Sequence, residues 1–100
     1  MKEVNEHIHQ IKELCDLNSV KSLFAFGSVV KNKLTPESDI DLVVDIDDTD
    51  PLSYSDKYFN LKFSLEKLFN RKIDLLEFNS IKNKFLKQEI NQTKFQIYGN

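Results

Sequence analysis

Asp39 and Asp41 stand one residue apart in Ser38-Asp39-Ile40-Asp41-Leu42-Val43-Val44. Alternate side chains of a strand share a face, which would put the two carboxylates about 7 Å apart on one side. Ile40, Leu42 and Val44 would then point to the other. Like charges so placed repel, and acidic residues fit strands poorly. A divalent cation would offset both costs. Carboxylate oxygens are hard ligands suited to Mg²⁺, which keeps some waters and shares its shell with substrate phosphates. Upstream, Phe24-Ala25-Phe26 reads as a buried strand running into Gly27-Ser28. Glycine there lets a phosphate approach the backbone, and Ser28 offers a hydroxyl. A short helix from about Val29 would aim its free N–H groups at an anion. Phosphates on one side and a metal on the other describe phosphoryl-transfer chemistry.

The elements that must position these groups are legible in the periodicity. Val4, Ile8, Ile11 and Cys15, widened by Leu14, predict an amphipathic helix over 3–17 that Asn18-Ser19 ends. Lys21 to Phe26 is the first strand, Val29 to Leu34 a short helix, and Pro36 with Ser38 the turn that delivers Asp39. The second strand runs from Asp39 to Ile46. An acidic loop over 47–51 precedes a long helix through Tyr54, Tyr58, Leu61, Leu65 and Leu68 to Phe69, with Ser53 or Ser55 as its N-cap. Arg71 to Phe78 is the third strand. Asn79 or Ser80 caps a last helix through Ile81, Phe85 and Ile90, and a short extended tail closes the chain. Pattern alone gives α and β elements in one sheet layer covered by helices.

Gly27-Ser28, ten residues, then Asp39-x-Asp41 resembles the signature of the DNA polymerase beta nucleotidyltransferase superfamily. The nearest likeness is to its minimal nucleotidyltransferases, small proteins often paired with HEPN-domain partners. Asp74, in Lys72-Ile73-Asp74-Leu75-Leu76, matches their third carboxylate, and Phe95-Gln96-Ile97-Tyr98 is similar to their usual ending. Many relatives carry Arg-Gly where this chain has Lys31-Asn32. The resemblance, over roughly Val20 to Tyr98, implies an α+β nucleotidyltransferase fold, a small mixed sheet covered by helices in αβαβαβα order. It implies Asp39, Asp41 and Asp74 as catalytic metal ligands for two Mg²⁺ ions, with Asp74 as general base. Gly27, Ser28, Lys31 and Ser38 would line the nucleotide, ATP. The implied reaction moves AMP onto a hydroxyl, with a tyrosine of a HEPN-family ribonuclease toxin as acceptor and this chain as antitoxin. The rival readings are an antitoxin that acts by binding alone, and a transferase acting on a small molecule or RNA.

Other chemistries find little support. One hundred residues with 40% hydrophobic and 30% charged content describe one ordinary globular domain, residues 1–100. A net charge of −2 argues against broad capture of nucleic acid, and Lys82, Lys84 and Lys87 read as a solvated helix face. No leader-like or membrane-length apolar run appears, which implies a cytoplasmic protein without a membrane role. Cys15 is the single cysteine, so no internal disulfide forms. The loop from Asp45 has Asp50 where a calcium-binding EF-hand needs glycine. His7 and His9 are two apart and do not share a helix face, and a hydrolytic triad has no partner for either. Arg71 reads as an ordinary strand-end residue, and Asp45 as lying too far along its strand to join the metal shell.

Overall fold

The computed structural model describes residues 1–99. Its centre is a pair of strands, β1 (Val20–Phe26) and β2 (Ile40–Ile46), which run antiparallel with Phe26 opposite Asp41. β3 (Ile73–Glu77) lies parallel to β2, with Asp41 opposite Asp74. The extended tail is itself a strand: β4 (Phe95–Gly99) pairs antiparallel with β1, giving one mixed sheet in the order β3-β2-β1-β4. The fold is thus α+β, with one strand more than the local pattern specifies. Long-range pairing, not propensity, decides whether an extended segment becomes a strand.

Helices cover both faces of the sheet. On one, Leu23, Ala25, Leu42, Val44, Ile73 and Leu75 pack in a core with Val4, Ile11 and Cys15, and with Leu61 and Leu65 of α3 (Pro51–Phe69). On the other, Phe26 and Val43 pack with Ile81 and with Ile90 of α4 (Lys84–Thr93). Val43 shares the face of Asp41 yet is buried. The acidic side of β2 is therefore not a free surface; α4 lies over its far part.

Several element bounds differ from expectation, each for a tertiary or capping reason. The helix expected over 3–17 is two, α1 (Lys2–Asn5) and α2 (Ile8–Leu17). Between them His7 leaves helical dihedrals at φ −121°, its ring edge-on to Phe69 of α3 at 5.3 Å. The helix expected over Val29 to Leu34 shrinks to a 3₁₀ turn, Gly27–Val29, and Asn32 turns left-handed at φ 55°. The Asn32 Oδ1 accepts from the chain's terminal amine at 3.1 Å. β2 starts at Ile40 rather than Asp39, and β3 spans Ile73–Glu77 rather than Arg71 to Phe78.

Neither expected serine caps α3. Pro51 occupies its first turn, where a missing N–H costs nothing. Asp48 instead accepts from the Asp50 amide, the Ser53 hydroxyl and the Lys57 amine. Asn79 and Ser80 fall in a second 3₁₀ turn, and Asn83 caps α4 by accepting from the amides of Phe85 and Leu86. Side chains of α3 also seal the β3 edge. Glu66 accepts from the Ile73 amide at 3.1 Å, and the Tyr58 hydroxyl donates to the Leu75 carbonyl at 2.6 Å. Among the described residues no helix is long and apolar enough to cross a membrane.

Candidate active site

The antiparallel and parallel ladders together bring the sequence-predicted residues to one end of the sheet. β1 ends where β2 and β3 begin, so Phe26, Asp41 and Asp74 form a row across three strands. Gly27 follows Phe26 directly. Its φ of 71° is a conformation that suits glycine, and an added Cβ would sit 3.0 Å from the Asp41 Oδ2. The missing side chain therefore first makes room for a carboxylate.

Asp41 is the half-buried member of the acidic group, while Asp39 and Asp74 are exposed. Burial pushes the Asp41 carboxyl up to about 6, with further upward pressure from the charges of Asp74, Asp39 and Glu89. Four carboxylates thus share one field, and the most enclosed one resists ionising. A cation would relieve that repulsion, and the donors are hard oxygens of the type Mg²⁺ takes. As the side chains lie, no three His, Cys, Asp or Glu residues among those described close around an ion. The donor set fits by chemistry, and strand register pairs Asp41 with Asp74.

The phosphate-side residues are placed less uniformly. Ser28 lies in the 3₁₀ turn beside Gly27, half-buried, and its carbonyl accepts from Lys33. The Gly27 carbonyl accepts from the amides of Val30 and Lys31, both at 3.1 Å. Lys31 itself is exposed in the following turn. The Ser38 hydroxyl is engaged locally: it accepts from the Thr35 amide at 3.1 Å and pairs with the Thr35 hydroxyl at 2.8 Å. Its first job is to close the turn that delivers Asp39.

Two features escaped sequence reasoning. Arg71, expected to be an ordinary strand-end residue, donates from one Nη to the carbonyls of Thr35 and Ser38, each at 2.9 Å. With the Ile40 amide bonded to the Lys72 carbonyl at 3.2 Å, it fixes the turn before Asp39 to the chain before β3. No local signal marks such a contact. Glu89 is the second: exposed on α4, three residues after half-buried Leu86, it adds its charge to the field on Asp41. Asp45, opposite Ser22 at the far end of β2, lies outside the group.

Comparison with known proteins gives the family and the fold. Residues 9–100 match the family described as Polymerase beta, Nucleotidyltransferase. A Methanocaldococcus jannaschii protein, provisionally named a protein adenylyltransferase, is 36% identical over 93 residues, 92% of each chain. Protein adenylyltransferase MntA of Thermococcus cleftensis is 29% identical over 84 residues, 84% of this chain and 82% of that one. Among solved structures, a chain of a toxin–antitoxin complex with AMP-PNP superposes with a TM-score of 0.72 at 23% identity. That match covers 93% of this chain and 73% of that chain. A chain from the complex of tri-AMPylated Shewanella oneidensis HEPN toxin with MNT antitoxin gives 0.66 at 21% identity, covering 96% and 73%. These two superpositions are likenesses of fold.

Proposed function

The chain belongs to the polymerase beta nucleotidyltransferase family, and from that premise we propose that it is an antitoxin which transfers AMP from ATP to a tyrosine hydroxyl of a HEPN-family ribonuclease toxin. The observation that carries the reading is the row Gly27–Asp41–Asp74. A glycine held open against a carboxylate, itself in register with a second, gathers negative charge at a strand end beside a turn with no side chain at its first position. The names of the relatives, protein adenylyltransferases, support the group transferred.

Asp39, Asp41 and Asp74 would hold Mg²⁺, two ions in the full complex, which when bound supplies charge neutralisation for the triphosphate and the departing pyrophosphate. The Gly27 backbone and the Ser28 hydroxyl orient the triphosphate, with Lys31 at the outer edge and Ser38 holding the Asp39 turn. The acceptor oxygen forms its bond to the α-phosphorus while the bond to the bridging oxygen of the β-phosphate breaks. Asp74, an exposed carboxylate, takes the hydroxyl proton, and pyrophosphate carries away the electron pair. Most of the acceleration comes from holding these groups in line rather than from covalent chemistry. The product would carry an added charge and bulk where the toxin must meet an RNA backbone.

A binding-only antitoxin remains as a second reading because the three carboxylates do not close around an ion as they lie. One experiment separates the two. A HEPN-type partner is incubated with this chain, ATP and Mg²⁺, then separated and weighed by mass spectrometry. Transfer leaves the partner heavier by whole adenylyl units and inactive, at substoichiometric amounts of this chain. Asp41→Asn should abolish the mass gain. An unmodified partner that recovers full nuclease activity would establish steric inhibition instead.

A further inference from the structure

Helix α3 turns one narrow stripe away from the sheet. Leu52, Asp56, Phe59, Phe63 and Lys67 follow one another at intervals of 4, 3, 4 and 4 residues. At 3.6 residues per turn they stay within about 80° of arc. All five are exposed, Leu52 at 79%, Phe59 at 47% and Phe63 at 59%. The two phenylalanine rings stack on each other, centroids 5.8 Å apart and 25° from parallel. Asp56 and Lys67, at either end of the aromatic pair, take part in none of the ion pairs among the described residues.

The order along the stripe is acid, aromatic, aromatic, base. Turned antiparallel about the midpoint of the two rings, it is its own complement. Phe59 of one copy then meets Phe63 of the partner subunit, and Asp56 meets Lys67 of the partner subunit. We propose that α3 pairs antiparallel with α3 of a second copy of this chain, in a two-fold dimer built on this stripe. Such an interface is isologous, so each favourable contact occurs twice. The charges fix the direction, since a parallel pairing would set Asp56 against Asp56 and Lys67 against Lys67.

The neighbouring surface fits the same occupant. Beside Lys67, a groove of about 450 Å³ runs between α2 and α3, lined by Leu14, Leu17, Ser64 and Leu68. By the same two-fold, Leu52 of the partner subunit falls opposite Asn70 at the end of α3, next to Leu68 at the rim of this groove. A single helix pair falls short of the roughly 1,600 Å² of a standard stable interface, so the dimer is a reversible one. α3 packs on the face of the sheet opposite α4, so pairing leaves the acidic row open.

Sedimentation equilibrium of the full chain from low micromolar to near-millimolar concentration tests this. Wild type should dimerise reversibly, and Phe63→Ser should weaken dimerisation at least tenfold without changing the circular dichroism spectrum. Asp56→Lys and Lys67→Asp should each weaken it, whereas the double exchange Asp56→Lys with Lys67→Asp should restore it. Adenylyl transfer by the monomeric variants should stay at the wild-type level. A wild-type chain that is monomeric throughout would overturn the proposal. So would a dimer indifferent to Phe63→Ser, or one that the double exchange fails to rescue.

Discussion

Replacing Asp41 by asparagine removes the charge of the most enclosed carboxylate while keeping its shape against Gly27. Folding raises that carboxyl from 3.8 to about 6. The folded chain therefore binds its proton more tightly than the unfolded chain does. Between those two values the native state carries more protons, so stability falls as pH rises. The loss is absent below pH 3.8 and complete above about 6. At about 1.4 kcal/mol per pH unit the shift corresponds to roughly 3 kcal/mol, and screening at a half-exposed group reduces this to about 1–2 kcal/mol. Asp41→Asn should therefore melt about 5–15 °C higher than wild type at pH 8, with metal-free protein, given the entropy of a domain this size. Near pH 4 the two should melt together. Differential scanning calorimetry at both pH values, in chelator, measures the gap. A gap independent of pH, or an asparagine variant less stable at pH 8, would refute the claim that enclosure and like charge strain this site.

Gly27→Ala should cost about 1–2 kcal/mol for the left-handed backbone alone, and more through the contact 3.0 Å from the Asp41 carboxylate. Ser28→Ala should cost only about 1 kcal/mol of nucleotide binding, which melts with and without an ATP analogue would show. Arg71→Ala removes both bonds to the Thr35 and Ser38 carbonyls; amide exchange over residues 35–39 should accelerate and transfer should fall while the core keeps its protection. The Cys15 thiol, pushed up to about 12 by burial and then by the Asp16 charge, should resist alkylation at pH 8 until denaturant unfolds the chain. Rapid labelling of the native protein would contradict its burial in the core. Tyr58→Phe should lose about 1 kcal/mol in urea melts, because the Leu75 carbonyl at the sheet edge loses its donor.

The amino-acid sequence by itself determined the order of the chemistry: glycine and serine after a strand, two spaced carboxylates at the start of the next, a third on another. It determined the long helix α3 and the three strands β1, β2 and β3 within a few residues, because hydrophobic period is a local property. What those residues do to one another is not local. Only the tertiary structure decided that Phe95–Gly99 pairs with β1, that His7 breaks the first helix on Phe69, and that Asn83 rather than Asn79 or Ser80 starts α4. Only strand register sets Asp41 opposite Asp74, and only the turn at Gly27 leaves a position without a side chain facing the Asp41 carboxylate. The Arg71 clamp joins positions 36 and 33 residues apart, a separation no window of sequence spans. Residue types name the groups available for chemistry. The proton affinity of Asp41 depends on enclosure and on neighbouring charges, and both exist only once distant segments are packed together.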